Sequence, residues 1–453
     1  MKRNNKNIAA MLLMAAAAFV GSSCENDNIN PYEYNNNGSN QNQGSTEVLK
    51  TKIAEYPVGS LVWTKDTTLT ESVEIPVGTS LYIEPGVTVT CKSDVQVPIE
   101  IVVLGNLYCM GTTEHPVTFT SDTKKTEDWG GIICGYNSQE VVLNHVDLAY
   151  AGATPTESSA SFQNHLFKST IDGGVPAFHF CNVNGKFVMA NCFLHDNYND
   201  QTYFTGGQGV IYNNATDGGE AINVKAGCKL DIANNIIYNA CTNAFKLSNS
   251  GNSELIPLTQ LTAYNNTIVN CGWRRAKNKK GGSVWLEKAI APTFVNNLVY
   301  DCRYGLKQPK KDGADIEHST VAPNYYFAST ETGVKQMSKN ADMIIWNDND
   351  IKSSVAGQLN PLLKNFKQSD KMNINCEIDN VQQGAPLAFD RSWNFNLQQG
   401  SPALSGGITG IQRIFPTGLA FFGMKKVMFL DNCNDQNYYF AAPIPTTQFG
   451  AAL

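Results

Sequence analysis

An asparagine that opens a short β-prone run recurs through the middle of this chain, and its spacing constrains the fold more than any other feature. The copies are Ala190-Asn191-Cys192-Phe193-Leu194, Ala233-Asn234-Asn235-Ile236-Ile237, Tyr264-Asn265-Asn266-Thr267-Ile268 and Val295-Asn296-Asn297-Leu298-Val299. The first asparagines sit 43, 31 and 31 residues apart. In the last three copies the run ends at Cys241, Cys271 and Cys302, themselves 30 and 31 apart. Leu143-Asn144-His145-Val146-Asp147-Leu148 is an earlier copy, and the short runs Ala221 to Val224, Ala244 to Leu247 and Val284 to Leu286 lie between the copies.

Short strands repeating at this interval predict a solenoid, because each repeat can bury its apolar side only against the next. Two or three strands per repeat predict an all-β fold, a parallel β-helix whose coils stack about 4.8 Å apart. Equivalent asparagines then stack at one corner, and Cys241, Cys271 and Cys302 form an internal ladder of small apolar side chains. Twelve cysteines without a CxxC pair therefore need neither zinc nor disulfides. An antiparallel sandwich would need hairpin turns every 8 to 12 residues, and Asn-Gly or Asp-Gly signals are few. Composition agrees. With 37 glycines, 18 prolines and 49 asparagines the chain is rich in turn formers, which argues against a helical bundle, a coiled coil or a doubly wound fold.

Other stretches carry a family resemblance. Thr68-Leu69-Thr70 followed by Leu81-Tyr82-Ile83-Glu84-Pro85-Gly86-Val87-Thr88-Val89, then Gly105-Asn106-Leu107, Gly111-Thr112, Pro116 to Ser121 and Trp129-Gly130-Gly131-Ile132, resemble opening coils of right-handed parallel β-helix, pectin-lyase-like, surface lipoproteins. Phe395-Asn396-Leu397 with Gly400-Ser401-Pro402-Ala403-Leu404 resembles a closing coil. The resemblance implies a β-helix over 46–410, with 320–390 an insertion or irregular coils because the asparagine rhythm stops there. The aromatic-rich residues 411–453 read as an irregular C-terminal cap over an otherwise open sheet end.

The N-terminus carries an address. Lys2, Arg3 and Lys6 precede an apolar run from Ile8 to Val20, and Gly21-Ser22-Ser23-Cys24 follows. This resembles a bacterial lipoprotein signal peptide over 1–23, with Cys24 as the lipidated residue. Residues 24–45 are polar and of low complexity, which predicts a flexible tether. Glu25 and Asp27 resemble a surface-export signal of some Gram-negative lipoproteins. The expected location is the outer membrane, lipid-anchored and facing the exterior. After the signal the chain has 31 basic and 40 acidic residues, a net of −9, so no nucleic-acid partner is expected.

The resemblance raises enzyme chemistry, since many β-helix proteins cleave acidic polysaccharides. The Asp-Asp pair and Gly-His-Gly of polygalacturonase-like members are absent. Asp217 and Glu220 are the close carboxylates that could face one another. His195-Asp196 and Asp196 to Asp200 could supply a base or oxygen ligands, and Asp348-Asn349-Asp350 and Asp431 to Asp435 are similarly oxygen-rich; all also fit solvated turns. Asp172-Gly173-Gly174 fits turn chemistry. No cofactor, metal site or catalytic residue is assigned.

The sharpest local signal is electrostatic. Between Trp273 and Lys311 there are ten basic residues against Glu287 and Asp301. The 31-residue step makes Trp273 equivalent to Tyr304, and Lys279 to Lys310. Trp273, Arg274, Arg275, Lys279, Arg303, Tyr304 and Lys310 are thus expected to converge on one exposed face, with rings for sugars and guanidinium forks for carboxylate or sulfate. A solvated basic loop pair is the plainer reading. The expected function is binding of an extracellular glycan, an anionic one included. A polysaccharide lyase or hydrolase, and a structural or adhesive protein with a host or surface protein partner, are the alternatives.

The anchor is directly testable. Cys24→Ala should leave the protein unlipidated and released from membranes. Unchanged fractionation and unchanged mass of the variant would refute it.

Overall fold

The structure, a computed structural model, describes residues 56–166, 174–198, 200–273, 282–366, 389–424 and 438–453. The signal, the tether and Cys24 lie outside these residues. Each of the first nine turns contributes one strand to each of three parallel sheets. Sheet A has nine strands, from Leu61–Trp63 to Thr293–Val295. Sheet B has eleven, from Thr67–Leu69 to Ile351–Lys352. Sheet C has nine, from Val73–Ile75 to Leu306–Lys307. The chain is a right-handed parallel β-helix.

Side chains alternate across each strand, so every sheet has an inward and an outward row. The inward row of sheet B runs Val89, Phe119, Leu148, Leu194, Thr216, Ile237, Ile268, Val299, Tyr326. With its counterparts from sheets A and C it forms one continuous core. Packing is tight enough that residues on successive coils trade volume. Gly209 stacks on Phe187, and a Cβ on Gly209 would come within 2.3 Å of that ring.

Asparagine holds the corner between sheets A and B. Asn191, Asn213, Asn234, Asn265 and Asn296 all take left-handed φ, from 52° to 57°, which asparagine tolerates better than most residues. The following residue points inward. Asn214, Asn235, Asn266 and Asn297 each donate from Nδ2 to the Oδ1 of the next rung, at 2.9–3.0 Å, ending on Asn324. That same Oδ1 accepts the backbone N–H of the residue one coil back, 3.1 Å for Asn214 and 3.0 Å for Asn235, Asn266 and Asn297. Two readings are corrected here. The 43-residue gap hides an extra rung, Asn213-Asn214, which splits it into 22 and 21. The rhythm also does not stop at 320: Asn324 continues the ladder, its N–H is received by Asp350, and Tyr325–Phe327 and Ile351–Lys352 extend sheet B.

The nine described cysteines are all free. Cys271 and Cys302 are fully buried and stacked, with the Cys271 N–H 3.4 Å from Cys302 Sγ. Cys241 departs from the expected ladder: it is partly exposed and outside the core.

Among the described residues the C-terminal segment does not close the solenoid end. It runs along the flanks. Leu419–Phe421 pairs antiparallel with Tyr438–Phe440, and Phe421 and Phe440 pack on the outward row of sheet A, on Tyr82, Tyr108, Val142 and Val188. Asp231 in that row receives the N–H groups of Ile414 and Phe415. Leu363–Asn365, Phe389, Trp393 and Asn394–Leu397 pack on sheet B. The end of the core is instead met by Val334, Met337, Ile345 and Trp346, from the helix Glu331–Met337 and the turn after it. The strap on sheet B is anchored by charge. Arg391 pairs with Asp147, whose other oxygen lies 2.8 Å from His195 Nε2, while His195 Nδ1 is 2.8 Å from Asp196. Burial would lower the His195 pKa, but Asp147 and Asp196 outweigh it and raise it to about 9.

Asn266→Ala should cost on the order of 2–3 kcal/mol, because it leaves Asn235 and Asn297 partners buried and unmatched; a chemical-denaturation midpoint measures it. In native protein Cys241 should react with a thiol reagent well before Cys271 and Cys302. Equal rates for all three would contradict the two-membered stack. The imidazolium clamp contributes stability that is complete below His195's ordinary value of 6.5 and lost as pH rises through about 9. Wild-type protein should therefore lose a few degrees of Tm across that interval, and His195→Gln should not show this loss.

Candidate functional site

Straps cover the outward rows of sheets A and B. Among the described residues none of the C-terminal segment packs on the outward row of sheet C. That row runs Glu74, Val102, Ile133, His179, Tyr203, Asn223, Lys246, Trp285, Lys307. Its first part is apolar and roofed by Ala160 and Leu166, in and just after the helix Ala160–Gln163. From His179 onward it turns aromatic and polar.

The polar part is a connected network. Asp200 and Glu220 are register partners on adjacent strands. Asn223 Nδ2 bridges them, 3.1 Å from Asp200 Oδ2 and 2.8 Å from Glu220 Oε2. Glu220 also accepts from Thr242 at 2.9 Å and from Asn243, and its Oε2 lies 3.9 Å from Lys246 Nζ. Lys225 Nζ is 3.8 Å from Glu287 and 5.7 Å from the centre of the Tyr203 ring. The Trp285 indole N–H donates to Glu287 at 2.8 Å and leaves the ring partly exposed. A cleft of about 250 Å³ opens beside Tyr203, lined also by Thr205, Lys225, Ala226, Ser250, Gly251 and Ile256. Burial, reinforced by Lys246, lowers the Lys225 pKa to about 8 against the pull of Glu287, Glu220 and Asp200. Burial holds His179 at about 3, so its ring is neutral.

These groups suit a polyhydroxylated ligand. The amides and carboxylates are oriented by one another, the lysines donate, and the rings offer faces to C–H groups. Among the described residues no group of three or more His, Cys, Asp or Glu is arranged to hold a metal ion.

The exposed aromatic and basic face expected from the repeat is not formed by its described members. Trp273, Arg303 and Tyr304 are 2%, 1% and 0% exposed. Equivalence holds, but the equivalent position is internal. The left-handed residues Asn270 and Asp301 turn the chain at the end of sheet B, and the third residue beyond packs between coils. The Trp273 indole N–H donates to the Asp301 carbonyl of the next coil at 2.7 Å, and Tyr304 lies under the Lys307 ammonium. Lys310 is exposed and paired with Asp342. Arg274, Arg275 and Lys279 lie outside the described residues.

The remaining candidates separate as well. Asp217 and Glu220 do not face each other: Asp217 ends a sheet B strand and receives the Phe389 N–H at 3.3 Å, whereas Glu220 opens a sheet C strand. His195 and Asp196 belong to the clamp under Arg391. Asp350 terminates the asparagine ladder. Asp172 and the run Asp431 to Asp435 lie outside the described residues. The sequence reading missed Asn223, Lys246 and Trp285, although their three short strands were visible. In each, the outward residue is the polar or aromatic one flanked by core residues, and that alternation was the available signal.

A family model described as a pectate-lyase like beta helix domain matches residues 57–164. No curated protein and no solved structure matches. The match covers the first coils and suggests a carbohydrate-related function in general. Over those residues the chain is similar to a pectate-lyase like β-helix domain, and the same coil continues beyond them through sheet B to Lys352.

Proposed function

We propose that the protein binds an extracellular glycan along the outward face of sheet C, and that lipid on Cys24 holds it at the outer membrane facing the exterior. One observation carries the binding reading. The face on which no described strap residue packs is also the one whose row changes from apolar to Tyr203, Asn223, Lys246 and Trp285 beside an open cleft. The excess of basic residues in the sequence between Trp273 and Lys311 favours an acidic glycan.

Lysine 225 supports a second reading, a polysaccharide lyase. An amine near 8, beside Tyr203 in a cleft, can take the proton next to a uronate carboxylate at mildly alkaline pH. The binding protein and the lyase share a ligand and differ in product.

A glycan array read with the mature chain tests both. Trp285→Ala with Lys246→Ala should weaken binding roughly tenfold or more, with little change in Tm, since both side chains are partly exposed. Lys310→Ala, away from the row, should not. Binding that survives the double substitution removes sheet C from the reading. Unsaturated products from acidic polysaccharides, lost in Lys225→Met, would establish the lyase; intact polysaccharide leaves binding alone.

A further inference from the structure

The last coil of sheet C encloses a cation without a partner. Arg303 is 1% exposed, and none of its three guanidinium nitrogens has a hydrogen-bond partner. No carboxylate among the described residues lies within ion-pair distance of it. Asp301, two residues away, accepts the Ser329 N–H through one oxygen, and its other oxygen is itself unpartnered. A second cation shares the Tyr304 ring with Arg303. Lys307 is fully buried, its Nζ 3.5 Å from the centre of the Tyr304 ring, with the Arg303 guanidinium 5.2 Å from the same centre. Burial and repulsion from Arg303 pull the Lys307 pKa down to about 7.

Removing a guanidinium from water is costly unless it is paired and hydrogen-bonded. The Tyr304 ring offsets part of that cost through its negative face, and satisfies none of the five N–H groups. A second cation alongside increases the cost. What would resolve all three is negative charge with several acceptor oxygens, which a planar guanidinium fork meets two at a time.

We propose that Arg303 and Lys307 form a binding site for a small oxyanion within the last coil. The oxyanion comes either as a free inorganic ion or as the acid group of a sugar; the chemistry is the same. The site adjoins the glycan face, Lys307 Nζ lying 5.7 Å from the centre of the Trp285 ring, but it rests on a different observation, the buried charge of Arg303.

Full-length protein desalted into an oxyanion-free buffer is melted with inorganic phosphate, sulfate or galacturonate at constant ionic strength. A saturable rise of a few degrees in Tm is expected with at least one probe, as is about one equivalent of that anion retained after gel filtration. Response to phosphate or sulfate identifies a free ion; response to galacturonate alone identifies an acidic sugar. Arg303→Met should abolish the response. Should that variant fail to fold, Arg303→Lys keeps the charge without the fork and should weaken the apparent affinity at least tenfold. Lys246→Ala, one strand further from Lys307 and paired with Glu220, should leave the response intact even if glycan binding is lost. A Tm indifferent to all three probes, or an undiminished response in the Arg303 variants, overturns the site.

Discussion

The stacked amides between sheets A and B are the constraint on which the rest of the molecule depends. A left-handed asparagine makes the corner, and the residue after it turns its amide inward to the coil above and the coil below. Asn235, Asn266 and Asn297 each donate to one neighbouring rung and accept from the other, with Asn214 opening the ladder as a donor and Asn324 closing it as an acceptor. Each bond is worth only about 1 kcal/mol net, but an unmatched amide at this depth costs more than that. The ladder therefore acts mainly by exclusion: a coil shifted by one residue would bury unpaired amides at every corner. That fixes the register of sheets A and B, and through it the alternation that decides which residues face the core.

The same corner has an outward consequence. The left-handed asparagines present their own side chains to the outside, where the C-terminal chain uses them. Asn234 donates to the Ala452 carbonyl, Asn265 to Gln448, and Asn296 to Ile408 and Thr446. The ladder thus organises the interior with one asparagine of each pair and attaches the strap with the other. Among the described residues the strap lies over sheets A and B, which leaves the outward row of sheet C from His179 onward for other contacts.

The coil, its approximate period and the inward cysteines were legible because they depend on residue type at a fixed interval. The hidden rung at Asn214 was not, because a shorter coil breaks the interval while keeping the geometry. Asn324 and Asp350 were missed for a related reason, standing 27 and 26 residues past the preceding rung instead of 31. The misplacement of Trp273 and Tyr304 has a different cause. Their equivalence followed from the repeat, but sidedness at a corner is set by the left-handed residue before it and not by strand alternation. Aromatic and basic character suggested solvent there, and the turn at Asn270 and Asp301 put the side chains inside. Within strands, where alternation does hold, Asn223, Lys246 and Trp285 could have been assigned outward.

The charges near sheet C divide into two kinds, and the division bears on recognition. Around the polar network two lysines each have a carboxylate: Lys246 with Glu220, Lys225 with Glu287. Such groups present hydrogen-bonding direction with little net field, so affinity along the row must come from stacking and oriented polar contacts. Arg303 is the opposite case, a charge with no internal compensation. From Tyr203 to Lys307 the row advances four coils, roughly 19 Å at about 4.8 Å each. A ligand lying along it would meet neutral, shape-based contacts over most of that length and strong positive potential at one end. Polarity of this kind favours one direction of a chain over the other, because reversing the ligand would move its acid group from Arg303 to the neighbourhood of Asp200 and Glu220.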